Sequence, residues 1–205
     1  MHREILSKNQ QKLLPFVRLF KREFYLVGGT AVALHIGHRR SIDFDLFKHG
    51  KLTPVRILKK ADTFKPYTVT RRVEEQLNLI LKDVKFTFFE YPYDIEVNCK
   101  FENIIKLPDL LNLSAMKAFA LGRRSKWKDY VDLYYILKDH YSIKQIIEKS
   151  SAIYGQLFSE KLFRAQLCYF EDIDYSEEVE FLVKQPSDNE IKEFLIEKAL
   201  NIDQY

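Results

Sequence analysis

Hydrophobic and polar residues in the first half of the chain alternate between extended and helical periods, which predicts strands interspersed with helices. An apolar run at 24–27 predicts a buried strand that ends abruptly at Gly28-Gly29. A short helix is predicted at 30–36, and residues 42–47 form a second predicted strand in which apolar and acidic residues alternate. This succession of strand, glycine turn, helix and strand predicts an α/β unit.

The segments on either side extend the same pattern. Residues 4–22 have apolar positions at helical spacing, interrupted by Pro15, and a further helix is predicted after Pro54. The Lys82-Asp83 pair is predicted to form a tight turn between two strands. The predicted extended stretches, of which the last is weak, are 67–70, 77–81, 84–89 and 95–97.

From residue 108 onwards the pattern becomes helical. Residues 108–122 combine a continuous apolar body with Gly122 as the predicted C-cap. Further helices are predicted after Ser142, at 159–169 and after Ser187, which opens a capping box. We therefore expect a helical region to follow the mixed α/β region.

The predicted fold class is α/β (α+β), with a mixed sheet and flanking helices in residues 1–107 and a C-terminal helical lobe in residues 108–205. The 205 residues are 46% hydrophobic and 14% aromatic, which is enough to bury a sizeable core and argues against disorder. The N-terminal apolar runs are short and broken by charges, so we expect no signal peptide or membrane span. Cys99 and Cys168 have neither disulfide nor metal spacing; core thiols and a cytoplasmic location are predicted.

Charge is distributed in local clusters rather than as one strong field, since the net charge is only +4. Basic pairs such as Arg39-Arg40 and Arg123-Arg124 are typical of a solvated surface, and they also suit an RNA backbone. We call residues 171–180 the acidic segment. Such a run is typical of a solvated loop, and it can also restrain a basic substrate channel or meet a partner.

The glycine turn and the helix behind it have the properties of a phosphate site. Glycine lets the backbone turn sharply and approach a ligand closely at Gly28 and Gly29. The free N–H groups and the dipole at the start of the helix attract anions, and Thr30 adds a hydroxyl group. The terminal phosphates of a nucleotide would suit this position.

The second predicted strand carries a candidate metal site. Because side chains alternate along a strand, Asp43 and Asp45 share one face. Two adjacent carboxylates repel each other and raise each other's pKa values, a cost that a divalent cation removes. Mg²⁺ is the expected ion, because it takes few carboxylates and completes its coordination with water and phosphate oxygens.

The combined pattern of strand, Gly-Gly-Thr, helix and Asp-x-Asp strand is similar to the signature of the nucleotidyltransferase superfamily. In detail, GGTAVALHIGHRRSIDFDLF resembles the AbiEii/AbiGii toxin-type nucleotidyltransferase family, which implies a nucleotidyltransferase fold. The site implied by the glycine turn and this resemblance has catalytic residues Asp43, Asp45 and Lys117, metal ligands Asp43 and Asp45, and nucleotide-binding residues Gly28, Gly29, Thr30, Arg40, Ser41, Lys117, Asp129 and Asp132.

Lys117 belongs to this set because family members carry a lysine in an Ala-Met-Lys run before an Arg-x-Lys-x-x-Asp-x-x-Asp-Leu segment, here 124–133. On a helix, Asp129 and Asp132 lie on one face, and Lys128 pairs with Asp132. The two acids are expected to orient Lys117 and Arg123 towards a triphosphate. The alternative is a lysine that extends out of a buried helix, beside ordinary surface pairs.

One position departs from the family pattern. Family members often carry a third acidic residue on a later strand, where this chain has Thr87, which cannot act as a general base. Glu90 lies on the opposite face of that strand and would need a bulge to reach the metal.

The resemblance implies a Mg²⁺-dependent enzyme that transfers NMP from an NTP to an RNA (tRNA) or protein acceptor, with a bacterial toxin-like role and an antitoxin partner. The alternative, suggested by Thr87, is a non-catalytic nucleotide- or RNA-binding protein that retains the fold.

Overall fold

The computed structural model describes residues 1–121 and 123–201. The predicted cap residue Gly122 lies outside the described residues. The chain divides into two compact units, Met1–Asp109 and Leu110–Tyr205.

The first unit contains three α-helices and seven strands among its described residues. The helices are α1 (Lys8–Arg18), α2 (Gly28–Ile36) and α3 (Pro54–Ala61). The strands are β1 (Tyr25–Val27), β2 (Phe44–Lys48), β3 (Tyr67–Arg72), β4 (Gln76–Leu81), β5 (Val84–Glu90), β6 (Cys99–Phe101) and β7 (Ile105–Leu107).

The seven strands form one mixed sheet in the order β3-β4-β5-β2-β1-β7-β6. Strand β2 runs antiparallel to β1 and parallel to β5, and β1 runs parallel to β7. The antiparallel strands β3, β4 and β5 form one side of the sheet, and the antiparallel pair β6–β7 forms the other side. The strands that carry the candidate site, β1 and β2, therefore lie in the interior of the sheet.

One face of the sheet packs against α1 through an aromatic cluster. The Phe16 ring on α1 lies 5.1 Å from the rings of Phe20 and Phe86 and 6.5 Å from that of Phe88. All four side chains are almost completely buried. Because side chains alternate along β2 and β5, the residues between the buried phenylalanines face the other side of the sheet.

The predicted turn between β4 and β5 is confirmed. Lys82 and Asp83 connect the paired residues Leu81 and Val84, and their φ angles are 49° and 66°. Two central residues with positive φ make the tight hairpin turn whose twist matches the flanking strands.

The weak strand predicted at 95–97 is wrong. The structure places strands later, at Cys99–Phe101 and Ile105–Leu107, which pair with each other antiparallel. Three-residue strands are too short to show a period in the sequence, and their pairing stabilises them here. Cys99 and Cys168 are half-buried rather than core residues.

The second unit is helical in its described residues, as predicted. Its α-helices are α4 (Leu110–Leu121), α5 (Trp127–Asp139), α6 (Ile143–Tyr154), α7 (Glu160–Leu167) and α8 (Asp188–Leu200). Ser142 and Gln145 form a reciprocal capping box, and the Ser187 hydroxyl accepts a hydrogen bond from the backbone N–H of Glu190 at 3.1 Å. Among the described residues, the helices are too short or too polar to span a bilayer.

Replacing Phe16 with alanine should lower the free energy of unfolding by about 3–5 kcal/mol, because the fully buried ring leaves a cavity in the aromatic cluster. Val55→Ala is the control, since this α3 side chain is 66% exposed and should change stability by no more than about 0.5 kcal/mol. Urea denaturation followed by circular dichroism measures both. Equal small effects would contradict the packing described for α1.

Candidate active site

The glycine turn joins β1 directly to α2. Strand β1 ends at Val27, and α2 begins at Gly28, two residues earlier than the predicted start at Thr30. The φ angle of Gly28 is +72°, a conformation that residues with a side chain rarely adopt. The helix N-terminus, with its unpaired backbone N–H groups, therefore lies at the turn itself.

The Asp45 carboxylate lies against Gly28. A Cβ atom added to Gly28 would come within 2.1 Å of Asp45 Oδ2, far inside van der Waals contact. The reason is the antiparallel pairing of β1 and β2, in which Asp45 is directly opposite Val27. The structure thus brings together the predicted phosphate turn and one of the two predicted metal ligands.

Asp43 lies just before β2, since the strand begins at Phe44 rather than at residue 42. Asp43 and Asp45 are both half-buried, whereas Phe44 and Leu46 are fully buried. This alternation places the two aspartates on the same side of the chain.

The Thr30 side chain has a different role from the predicted one. Thr30 is 1% exposed, and its hydroxyl donates to the backbone carbonyl of Asp43 and lies 3.0 Å from Ser41 Oγ. Because α2 starts at Gly28, Thr30 lies inside the first turn and faces the protein. Its hydroxyl holds the 41–43 segment to the helix, so it is not a donor for a ligand.

The same segment is held from α1. The Gln10 side-chain amide, which is fully buried, donates to the Ser41 carbonyl at 2.7 Å. Ser41 itself is 7% exposed, and its hydroxyl lies close to Gly29. Ser41 therefore lies at the glycine turn, as a nucleotide-binding residue would.

Arg39 was not among the predicted site residues, although its guanidinium group borders the turn. It is 1% exposed, and a Cβ atom at Gly29 would lie 2.6 Å from Arg39 Nη2. The predicted residue Arg40 instead donates to the backbone carbonyl of Glu4 at 3.1 Å. The sequence signal was the Arg39-Arg40 pair, which does not show which arginine points inward.

Thr87 occupies the position beside Asp45. In the parallel pair β2–β5, Asp45 is directly opposite Thr87, and Thr87 is opposite Asn78 on β4. Glu90 pairs with Lys48 further along the same two strands. Because side chains alternate along a strand and Glu90 is an odd number of residues after Thr87, Glu90 lies on the opposite face of β5 from Thr87. Across residues 1–121 and 123–201, no three His, Cys, Asp or Glu side chains form a group that could hold a metal ion.

Lys117 in the second unit is a buried cation. It is 5% exposed, and its Nζ lies 2.5 Å from Asp129 Oδ1 and 2.6 Å from Asp132 Oδ2. Both aspartates are buried as well, at 2% and 0% exposure. The alternative of a lysine that extends into solvent is therefore wrong, and α4 and α5 are joined by a buried ion cluster.

Arg124, not Arg123, is the arginine of this cluster. The Nε atom of Arg124 lies 2.9 Å from Asp129 Oδ2. Arg123 instead packs over the Phe119 ring, with its Cζ atom 3.6 Å from the ring centroid, and donates to the Phe119 carbonyl. Burial alone would raise the pKa of Asp129, but the charges of Lys117 and Arg124 and the hydrogen bond from Lys117 outweigh it. The pKa of Asp129 therefore lies below its ordinary value.

The acidic segment, residues 171–180, is mostly exposed, as predicted for a solvated loop, and it is also docked on the loop before α5. The backbone N–H of Asp174 donates to the Ser125 carbonyl at 2.7 Å, and that of Trp127 donates to the Asp174 carbonyl at 3.1 Å. The Ser125 hydroxyl also donates to Asp172 at 3.0 Å. These bonds make a short parallel bridge between the segment and the loop.

Glu177 in the acidic segment pairs with two lysines of the 124–133 motif. Its two carboxylate oxygens contact Lys126 and Lys128, so the predicted pair between Lys128 and Asp132 is wrong. Burial opposes ionisation of Glu177, but hydrogen bonds from the two lysines lower its pKa to about 2. Sequence reasoning missed this contact because the partners are about fifty residues apart.

Gly28→Ala should destabilise the protein more than Gly50→Ala, although both glycines have positive φ. At Gly50 nothing lies within 4 Å of an added Cβ, so only backbone strain of about 1–2 kcal/mol is expected. At Gly28 the whole Asp45 side chain must also move, which should add about 1–3 kcal/mol. Urea unfolding of both variants measures the difference, and equal losses would show that Asp45 does not press on the turn.

Lys117→Met should lower the free energy of unfolding by about 3–5 kcal/mol at pH 7, because it leaves two buried carboxylates with one cation fewer. In the wild type, Asp129 has a lower pKa in the folded protein than in the unfolded chain. Its ionisation therefore stabilises the fold at pH values above its unfolded pKa, and this stabilisation is lost as the pH falls through its folded pKa. In the variant the carboxylates take up a proton more readily, so its deficit should shrink as pH falls from about 7 to about 4.5.

The measurement is the urea midpoint at both pH values, and Lys161→Met, at an exposed position, is the control. A deficit that does not depend on pH would argue against charge as its cause.

Comparison with known proteins identifies proteins that are similar to most of the chain. A protein of Aquifex aeolicus (strain VF5), the uncharacterised protein aq_aa25, is 29% identical over 187 residues, which cover 84% of this chain and 88% of that protein. The structure of JHP933 from Helicobacter pylori matches with a TM-score of 0.57 at 17% identity, over 95% of this chain and 91% of JHP933. MenT4, a nucleotidyltransferase toxin from Mycobacterium tuberculosis H37Rv, matches with a TM-score of 0.64 at 12% identity, over 93% of this chain and 81% of MenT4.

At these identities the two solved structures show a shared fold, and they confirm the predicted mixed α/β nucleotidyltransferase architecture. The sequence profile of the nucleotidyl transferase AbiEii toxin family, type IV toxin–antitoxin system, matches residues 17–201. Since this match spans most of the chain, the protein belongs to the AbiEii nucleotidyltransferase toxin family and is a nucleotidyltransferase.

Proposed function

We propose that this nucleotidyltransferase transfers NMP from an NTP to an RNA acceptor, such as tRNA, or to a protein acceptor in a Mg²⁺-dependent reaction. The observation that carries the proposal is the contact between the Asp45 carboxylate and Gly28. It puts a metal-binding group directly at the start of α2, where the backbone N–H groups favour phosphate. An enzyme that transfers a nucleotidyl group needs these two features at one point.

The phosphate part of the site is supported by the charge around the turn. Gly28 and Gly29 let triphosphate oxygens approach the backbone N–H groups of α2. The buried guanidinium group of Arg39 borders Gly29 and adds a fixed positive charge. Ser41 offers a hydroxyl beside the same glycine.

The residues present fit a magnesium ion. Mg²⁺ is usually bound by one or two carboxylates together with water and substrate phosphates, and Asp43 and Asp45 supply such a donor set. When bound there, the ion would neutralise both carboxylates and draw charge from the phosphate oxygens. The protein's own contribution is to hold the two aspartates on one side of the chain through the β1–β2 pairing and the bond from Thr30 to Asp43.

Lys117, Asp129 and Asp132, which belong to the second unit, are proposed to be nucleotide-binding residues. Both aspartates contact its ammonium group and hold Lys117 in one position. The catalytic role proposed for it, neutralising charge on departing pyrophosphate, follows the family pattern. The Arg124 side chain, about half exposed, brings a second cation to the cluster.

A second function is favoured by one specific observation, the threonine beside Asp45. Thr87 has no carboxylate to activate an acceptor hydroxyl, and Glu90 is on the other strand face. A protein that binds nucleotide or RNA without transfer would have no need of an acid at position 87.

We further propose that the protein acts in the bacterial cytoplasm as a toxin restrained by a cognate antitoxin, as the family's assignment to type IV toxin–antitoxin systems suggests.

Incubation with each of four α-labelled NTPs, Mg²⁺ and total RNA or protein should give labelled acceptor. The Asp43→Asn plus Asp45→Asn variant should reduce incorporation by about 10²- to 10³-fold, because the charge that holds the metal is lost. Asp139→Asn, at an exposed position at the end of α5, is the matched control and should retain activity.

The same assay separates the two functions. If NTP raises the unfolding free energy, by about 2.7 kcal/mol at a hundredfold excess over Kd, while no acceptor is labelled, the non-catalytic function is correct.

A further inference from the structure

A cavity with several basic residues lies in the first unit, at the end of β1 away from the glycine turn. This cavity of about 510 Å³ is bordered by the residues that precede β1 and by β6 and β7. Its cations are Lys21, Arg22, Lys100 and Lys106. None of them is among the residues assigned to nucleotide or metal binding.

Two of these lysines are directly opposite each other. Lys100 on β6 pairs with Lys106 on β7 in an antiparallel register, and both side chains are exposed. Like charges at opposed positions destabilise a strand pair. In the described part of the chain neither lysine has an acidic partner. An anion between the two ammonium groups would relieve this repulsion.

The acidic residues at the cavity do not cancel this charge. Glu102 is paired with Arg3 at 2.9 Å, and Glu23 lies 3.4 Å from Lys60. Both cations come from outside the cavity lining. The four cavity cations therefore leave an excess of positive charge.

The two opposed lysines of the cavity lie on the same face of the sheet as Asp45. Lys106 is opposite Tyr25, Tyr25 is opposite Phe47, and opposed residues share a face. Lys100, Lys106, Tyr25 and Phe47 thus form one row across the sheet, which we call the basic row. Phe47 follows Asp45 by two residues, so this row is displaced from Asp45 by about 7 Å along the strand direction.

Aromatic side chains continue the basic row. The Phe47 and Phe89 rings are 5.1 Å apart and half-buried, so each has some surface left for stacking. Tyr25 adds a phenol to the cavity lining, and burial, more than the nearby Tyr91 and Asp94, raises its pKa, so its hydroxyl stays a hydrogen-bond donor.

We propose that this cavity binds the phosphodiester backbone of the RNA acceptor. The inference rests on the proposed function, because it supplies the acceptor with a binding surface next to the metal site. Cations in a row with half-buried aromatic rings are the combination that binds single-stranded nucleic acid, in which phosphates alternate with bases that stack. An acidic polypeptide would use the cations but not the rings.

The test compares Lys100→Glu plus Lys106→Glu with Lys8→Glu plus Lys12→Glu. The control changes net charge equally at two exposed lysines of α1, which packs on the other face of the sheet. The probe is a fluorescein-labelled single-stranded RNA of about 20 nucleotides, longer than the ~4–16 nucleotides that such sites cover. Anisotropy is measured without NTP at several salt concentrations.

The cavity variant should bind the RNA at least about tenfold more weakly than wild type. The slope of log K against log salt concentration should be smaller in magnitude by about 1.4, the value for two lost phosphate contacts on a single strand. The control should match wild type. Equal losses in both variants, or no loss in either, would overturn the proposal. Competition by polyglutamate as effective as that by unlabelled RNA would also overturn it.

The cavity variant should fold, because both positions are exposed and one like-charge pair only replaces another. Lys100→Gln plus Lys106→Gln, which removes the repulsion, provides a milder second test. Mg²⁺–NTP binding should be unchanged in the cavity variant. Because RNA binding is measured without transfer, a protein that transfers nothing can still show the specific loss, which separates failure of the proposed function from failure of this inference.

Discussion

The candidate site depends on one close contact, that between the Asp45 carboxylate and the backbone of Gly28. Strand pairing between β1 and β2 fixes this contact, because Asp45 is directly opposite the residue before the glycine. Any side chain at position 28 would occupy the space of the carboxylate. The glycine thus serves two purposes, a positive φ angle that starts α2 early and an empty volume that admits an acid beside the helix N-terminus.

The second unit places its charges differently, by burying them. Lys117, Asp129 and Asp132 lose most of their hydration, and only close pairing offsets that cost. Such a cluster adds little to stability compared with apolar packing, but each member has a fixed orientation. Arg124, which is half exposed, connects the cluster to solvent. The unit therefore contains a buried ammonium group in a fixed position rather than a mobile surface lysine.

Much of the fold was predictable because it rests on local patterns. Glycine breaks, period-two strands and the Lys82-Asp83 turn were predicted from neighbouring residues, and so was the shared face of Asp43 and Asp45. The site residues that sequence reasoning missed depend on tertiary structure. Arg39 is selected over its neighbour by burial at the turn. The partner of Lys128 comes from a segment about fifty residues away, and no periodicity links the two.

The pairing of Glu177 with Lys126 and Lys128 has a consequence for any anion that approaches the 124–133 motif. A carboxylate on the same chain acts at an effective concentration of about millimolar or more, and it never diffuses away. A singly charged anion at lower concentration does not displace the Glu177 carboxylate from Lys126 and Lys128. The contact therefore favours anions that carry several charges over singly charged ones at this end of α5.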